Sequence, residues 1–248
     1  MMILRGIAGL IATLVLWTAI VFIFKVPAFL LPGPVEVFDR VAFLFQNAKL
    51  TRHIWVTLSE IIAGFVIGTV IGIFAGVVFA RLPRIERFAT PLILLLQTAP
   101  KIAIAPLLLL WLGIGPAPKV VLIAIVTFFP VMQGMVTGLR YGEGSFRDLA
   151  AVLKLSPWQR FRHIELPSAL PSVLAGMAVA TTLAMTAAVI GELIGANEGL
   201  GYLLSSGQEN SDTAVVIGMV MLLSLIGWAF YEVIDLIRRR SLGRFQLS

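Results

Sequence analysis

An all-α membrane protein with six transmembrane helices is the fold this sequence predicts, and three observations predict it. Of the 248 residues, 59% are hydrophobic and only 13% charged, well under the ~25% charged content of soluble domains. Mean hydropathy is +0.99. Apolar runs of the length that crosses a hydrocarbon core recur along the chain, and most basic residues fall in the short segments between them. The runs show no ten-residue alternation of polar and apolar positions, so helices are expected rather than barrel strands.

The first span is expected at 6–24, after Arg5. It is longer than the apolar core of a secretory leader, and no small-x-small cleavage site follows, so it reads as a retained spanning helix. The segment 25–54 holds "LPGPVEVF", an extended Pro-rich turn, then an amphipathic helix over 35–45 that lies along the membrane surface. Further spans are expected at 55–80, 88–112, 118–139, 169–192 and 213–237, making 1–248 one transmembrane domain. Span 55–80 carries Gly64, Gly68, Gly72 and Gly76, a ridge of small residues that lets another helix approach, within the chain or across a dimer. Span 88–112 contains Pro100 and Pro106, which remove helix donors and predict a break. After 169–192, Gly191, Gly195, Gly199 and Gly201 predict irregular backbone and a re-entrant turn near the outer face.

Basic residues orient the spans. With the N terminus inside, the inner segments hold 13 Arg and Lys, and the outer segments hold 5: Lys25, Arg40, Lys49, Arg52 and Lys119. That bias predicts both termini in the cytoplasm of a bacterial inner-membrane, multi-pass protein. Such scattered charge does not form the basic face that nucleic acid requires. There are no cysteines, and the two histidines, His53 and His163, stand far apart, so a metal site is not expected. No phosphate-binding Gly-x4-Gly-Lys-Ser/Thr loop and no nucleophile–base pair occurs. An enzyme is therefore not expected, and any ATP and Mg would be held by another polypeptide.

The segment 140–168 is the longest inner loop, and it is charged and helix-like. Leu149, Val152 and Leu153 fall on one face of a first short helix. Ser156, Pro157 and Gln159 stand where an N-cap, N1 and N3 would form a capping box. The second helix aligns Trp158, Phe161 and Ile164 as an aromatic-apolar knob, with Arg160 and Arg162 turned elsewhere and Pro167 ahead of the next span. On physics alone the loop is either an anchor on the inner leaflet or a docking element for a cytosolic partner, since aromatics flanked by Arg suit interface hot spots.

The same stretch, "DLAAVLKLSPWQRFRHIELP", resembles the cytoplasmic Glu-Ala-Ala loop of ATP-binding-cassette importer permeases. Asp148 falls on the Glu, Leu149 and Ala150 on the alanines, and Ile164, Leu166 and Pro167 on the closing Ile-x-Leu-Pro. Lys154 stands where that loop has its turn glycine. Lys does not take a positive φ cheaply, so the turn is expected to shift to Leu155-Ser156. "LPGPVEVF", "WVTLSEIIAGFVIGTVIGIFAGV", "APKIAIAPLLLLWLGIGPAPKV" and "GELIGANEGLGYLL" resemble the sulfonate, taurine and nitrate permease subfamily. The resemblance implies a MetI-like type I importer fold. It also implies a permease that pairs with a second copy, docks two ATPase subunits on its inner loops and receives solute from an external binding protein. A heterocyclic or aromatic vitamin precursor, a sulfonate, taurine or a nitrate-like anion is the implied cargo.

Polar residues inside spans are the candidates for the path. Lys101 lies between Pro100 and Pro106, with Gln97 one turn before it. It is expected to line a path or gate, or to pair with Glu192 or Glu60. Gln133 and Glu192 are further candidates, and Met185 could line an adaptable apolar wall. A secondary carrier or channel not driven by ATP, or a structural adaptor, are the other classes these residues allow.

Overall fold

The computed structural model describes residues 2–47, 50–141 and 152–243, nearly all of them helical. Asp148 and Ala150 lie outside the described residues. The helices are α1 (Met2–Ile23), α2 (Pro34–Asn47), α3 (Leu50–Arg81), α4 (Pro83–Thr98), α5 (Lys101–Leu112), α6 (Pro116–Tyr141), α7 (Pro157–Arg160), α8 (Leu166–Gly195), α9 (Leu200–Glu209) and α10 (Thr213–Gly243). Among the described residues, four helical stretches are long and apolar enough to cross a membrane: Leu50–Arg81, Pro116–Arg140, Pro157–Gly195 and Thr213–Ser241. The predicted first span falls on α1. The predicted third span falls on α4 and α5, which meet at 97°. Large apolar side chains such as Phe74, Leu110, Trp111 and Trp228 point outward. That suits a protein whose solvent is hydrocarbon.

The helices form two compact units. One comprises Met1–Thr57 with Ala196–Leu225, the other Leu58–Gly195 with Ile226–Ser248. In the first, the expected amphipathic helix is α2, whose Val37 and Leu44 are buried. The Glu36 carboxylate accepts from the Gly33 N–H at its start. Arg40 bridges to Asp212 at 2.6 Å, and Trp17 donates to the Pro32 carbonyl.

In the second unit the glycines set the geometry. A Cβ built on Gly64 would lie 2.5 Å from Ile123 Cβ; on Gly68, 2.6 Å from the Ala124 carbonyl oxygen; on Gly72, 2.7 Å from that of Phe128; on Gly76, 2.5 Å from Met135 Cβ. The ridge therefore packs against α6 of the same chain. Both residue numbers climb together, so α3 and α6 run parallel. On the other face of α6, Gly138 meets Ala169, Gly134 meets Ser172 and Gly176 meets Pro130. Here one series rises as the other falls, so α8 is antiparallel to α6.

This arrangement decides what the bent pair is. Parallel α3 and α6 require the chain to return along their full length between Arg81 and Pro116. Arg140, at the end of α6, donates to the Phe79 carbonyl near the end of α3 (3.1 Å) and to Glu86 at the start of α4 (2.6 and 3.0 Å). At the opposite end, Leu109 of α5 sits against Gly195, the last residue of α8. So α4 and α5 together make one broken crossing, not a re-entrant loop. The break falls at Ala99-Pro100, both with extended ψ. Pro91 and Pro106 stay inside their helices.

Candidate functional site

Docking loop first. Lys154 has φ +50°. The turn thus stays at the position where the resembling loops carry glycine, rather than shifting to Leu155-Ser156 as expected. A left-handed non-glycine residue costs about 1–2 kcal/mol. The cap that follows offsets it: Ser156 Oγ accepts from the Gln159 N–H at 3.3 Å, and Gln159 Oε1 accepts from the Ser156 N–H at 2.9 Å. The expected capping box is therefore formed, worth about 1 kcal/mol.

Pro167 does not end the helix. Pro157–Gly195 runs continuously, with a π-helical turn at Phe161–Glu165. Pro167 has no N–H, and its ring would press on the carbonyl four residues back. Widening the preceding turn, so that the Leu166 N–H donates to the Phe161 carbonyl, accommodates both.

Of the predicted knob, Trp158 is 65% exposed, while Ile164 is half-buried. Phe161 packs inward against the helical core, 5.9 Å from the Trp158 ring and under the Arg81 guanidinium. The two arginines part company. Arg162 is exposed, whereas Arg160 Nε bonds the buried Glu165 carboxylate at 2.5 Å. Arg81, at the end of α3, bonds both oxygens of the same carboxylate. Two guanidiniums thus satisfy one buried carboxylate. Leu166 is exposed and Pro167 half-buried.

The path candidates separate. Lys101 opens α5 just past the break, and its Nζ donates to the Gln97 carbonyl of the preceding turn. Glu60 is held elsewhere, by a buried ion pair with Lys119, so the expected Lys101–Glu60 pair is not formed. Gln97 lines a groove of about 430 Å³ with Ile67, Leu92, Leu96, Val121 and Phe128. Gln133 is exposed on α6, Met185 packs within the core facing Gly227, and Glu192 is buried in α8. The structure sets these last three in three different surroundings, with only Gln97 and Lys101 together.

Lys119 is the residue sequence reasoning misplaced. Counted as an outer-loop charge, it is 5% exposed and bridged to Glu60, itself 3% exposed. The signal was there: Lys119 lies inside the predicted 118–139 span, and Glu60 inside 55–80. Gly191 gives it room, since a Cβ there would lie 3.0 Å from Lys119 Cγ. Against expectation, Gly191, Gly195 and Gly201 are helical; the first two serve close packing against Lys119 and Leu109 rather than a turn. The irregular backbone is confined to 196–199.

In the first unit that short connection is pinned by α3. Gly199, at φ +119°, donates its N–H to His53 Nδ1 at 3.0 Å, and the Leu200 N–H donates to Thr57 Oγ1 at 2.9 Å. Arg52 bridges to Glu198. Side chains of one helix thus cap the start of another, α9. Among the described residues, no three His, Asp or Glu side chains gather as a metal site.

The chain is similar to known proteins. Residues 68–245 match the family model described as "Binding-protein-dependent transport system inner membrane component". The chain is 32% identical to the riboflavin transport system permease protein of Chloroflexus aurantiacus, over 93% of this chain and 86% of that one. It is 27% identical to a putative aliphatic sulfonates transport permease protein of Bacillus subtilis, over 96% and 87%. An inward-facing structure of a methionine ABC transporter superposes with a TM-score of 0.67 at 21% identity, covering 77% of this chain and 95% of that one.

Proposed function

The chain belongs to the family of binding-protein-dependent transport system inner membrane components, and from that premise we propose how it works. It is the membrane-spanning permease subunit of an ATP-driven importer. The ATP-independent carrier considered from the sequence finds no support. Two copies of the chain form the path, with both termini in the cytoplasm. Two separate ATPase subunits bind ATP and Mg and dock on 140–168. An external binding protein delivers the solute. The chain itself catalyses no bond chemistry.

The observation that carries the docking role is the exposed Trp158 beside Arg162, raised on a capped helix continuous with the long α8. An aromatic anchor on a rigid support loses little side-chain freedom on binding. Solute passes the broken helix, where α4 and α5 expose backbone at Ala99-Pro100 beside Gln97 and Lys101.

The cargo is a planar heterocycle rather than a small anion. The Gln97 groove is apolar apart from one amide. The nearby Lys101 ammonium is turned across the break onto the Gln97 backbone carbonyl at the end of α4. Identity to the riboflavin permease, 32%, exceeds the 27% to the sulfonate permease, although the latter matches over a slightly longer stretch. The test is a thermal-shift screen of the cognate binding protein, followed by uptake into proteoliposomes with and without ATP. Stabilisation by flavins or pyrimidines, and uptake that stops without ATP, is expected. Stabilisation by alkyl sulfonates alone would replace the heterocycle with an anion.

A further inference from the structure

The buried carboxylate at the root of the docking helix has a role that the docking residues do not. Glu165 is 6% exposed and sits in the π-helical turn that joins α7 to α8. It is held from two directions. Arg160, five residues earlier on the same continuous helix, bonds it at 2.5 Å. Arg81, the last residue of α3, bonds both its oxygens and lies over the Phe161 ring. The second inner-end contact, Arg140 with Glu86 and the Phe79 carbonyl, fastens α6 and α4 to the same end of α3.

We propose that Glu165, clamped by Arg81 and Arg160, is a positioning strut that makes the docking helix and the inner end of α3 move as one rigid body when the ATPases close. Three observations argue for it. A π-helical turn is a local weakness, with a widened backbone just where force enters from the docking helix. A load applied at Trp158 would flex that turn unless something braced it. The cluster braces it, because one carboxylate bonded by two guanidiniums fixes direction as well as distance. α3 carries the glycine ridge that packs along α6. What holds the docking helix to α3 therefore holds it to the close-packed centre of this unit. The inference rests on the reading of 140–168 as the ATPase-docking loop.

The test uses the complete importer, with its ATPase and binding protein, in lipid nanodiscs. The chain has no cysteine, so spin labels go at Leu82→Cys and His163→Cys, both exposed positions. Labelled chain is diluted with unlabelled chain so that each complex carries one labelled copy. The label separation is measured without nucleotide and with Mg-ATP and vanadate. In the parent background it should stay the same in both states. In Arg81→Gln, which leaves the Arg160–Glu165 pair in place, it should shift by about 2 Å or more on adding nucleotide, the scale of helix slippage at interfaces. Arg81→Lys, which keeps the charge, should restore the fixed separation. A purely structural Arg81 would lower the melting temperature in Arg81→Gln without making the separation depend on nucleotide. That result overturns the proposal, as does a parent separation that changes with nucleotide. Docking is read separately, by ATPase co-purification with Trp158→Ala. Retained ATPase there defeats the docking reading, whereas loss of the ATPase from Arg81→Gln defeats the strut.

Discussion

At the scale of single residues, the second unit holds a buried charge pair that hydropathy alone would not place there. Glu60 and Lys119 are both buried and paired within the second unit. Taking two charges out of water costs several kcal/mol each, and their attraction roughly returns it. The pair therefore adds little net stability, but removing one partner is expensive because the other charge stays behind. Lys119→Met should lower the unfolding free energy by about 3–5 kcal/mol in a detergent unfolding titration. Combining it with Glu60→Leu should recover most of that loss. A single variant as stable as the parent would mean that the pair opens to water. The same arithmetic shows why the residue was hard to place. A basic residue one position inside a span boundary reads equally well as a loop charge for topology and as a buried partner. Only the presence of Glu60, a carboxylate inside another span, separates the two, and nothing in the sequence states that they meet.

At the scale of elements, the 140–168 loop was legible where chemistry is local and illegible where it is not. Ser156, Pro157 and Gln159 announce their capping box by spacing alone, and it is formed. The broken span was readable in part: Pro100 stands at the break, but Pro106, from which a break was equally expected, stays inside α5, because a missing donor alone does not fix where a helix parts. The turn at Lys154 was misread, because strain was weighed at one residue while the structure weighs it against the helix that follows. Lys154 keeps its left-handed backbone at a cost of about 1–2 kcal/mol. Glycine there would relieve that strain but add about 0.5–1 kcal/mol of unfolded-chain entropy. The balance favours Lys154→Gly by about 0.5–1 kcal/mol, which should slow amide exchange across 155–160 about two- to fivefold. Lys154→Ala keeps a side chain in the same conformation and should not slow it. If both variants slow exchange equally, the lysine side chain rather than its backbone is the source of strain. The ion cluster at Glu165 was out of sequence reach for a different reason. Arg81 and Glu165 are 84 residues apart, and no periodic pattern links the end of one helix to the start of another.

At the scale of the whole molecule, composition alone made an all-helical membrane protein readable, and the likeness of several segments to known permeases made its family readable. Helix direction was not, because that depends on which glycine faces which residue. The parallel run of α3 and α6, with α8 antiparallel, obliges α4 and α5 to be one broken crossing. Arg81, Arg84, Arg87 and Arg140 gather at one end of that unit, the end the charge bias expects to face inward, and its other end holds Lys119 in a buried pair. Removing Lys119 from the outer charges leaves four, which strengthens the positive-inside bias rather than weakening it. Sidedness follows and is open to direct measurement. In the cysteine-free chain, Gln208→Cys, exposed at the end of α9, should react with a membrane-impermeant maleimide added to intact spheroplasts. Leu82→Cys, between α3 and α4, should react only after the membrane is permeabilised. Labelling of both from outside would mean that α4 and α5 fold back without crossing, contrary to the helix directions read from the glycine contacts. The reverse pattern would put the docking loop outside the cell, out of reach of any ATPase, and with it would fall the coupling of this chain to ATP.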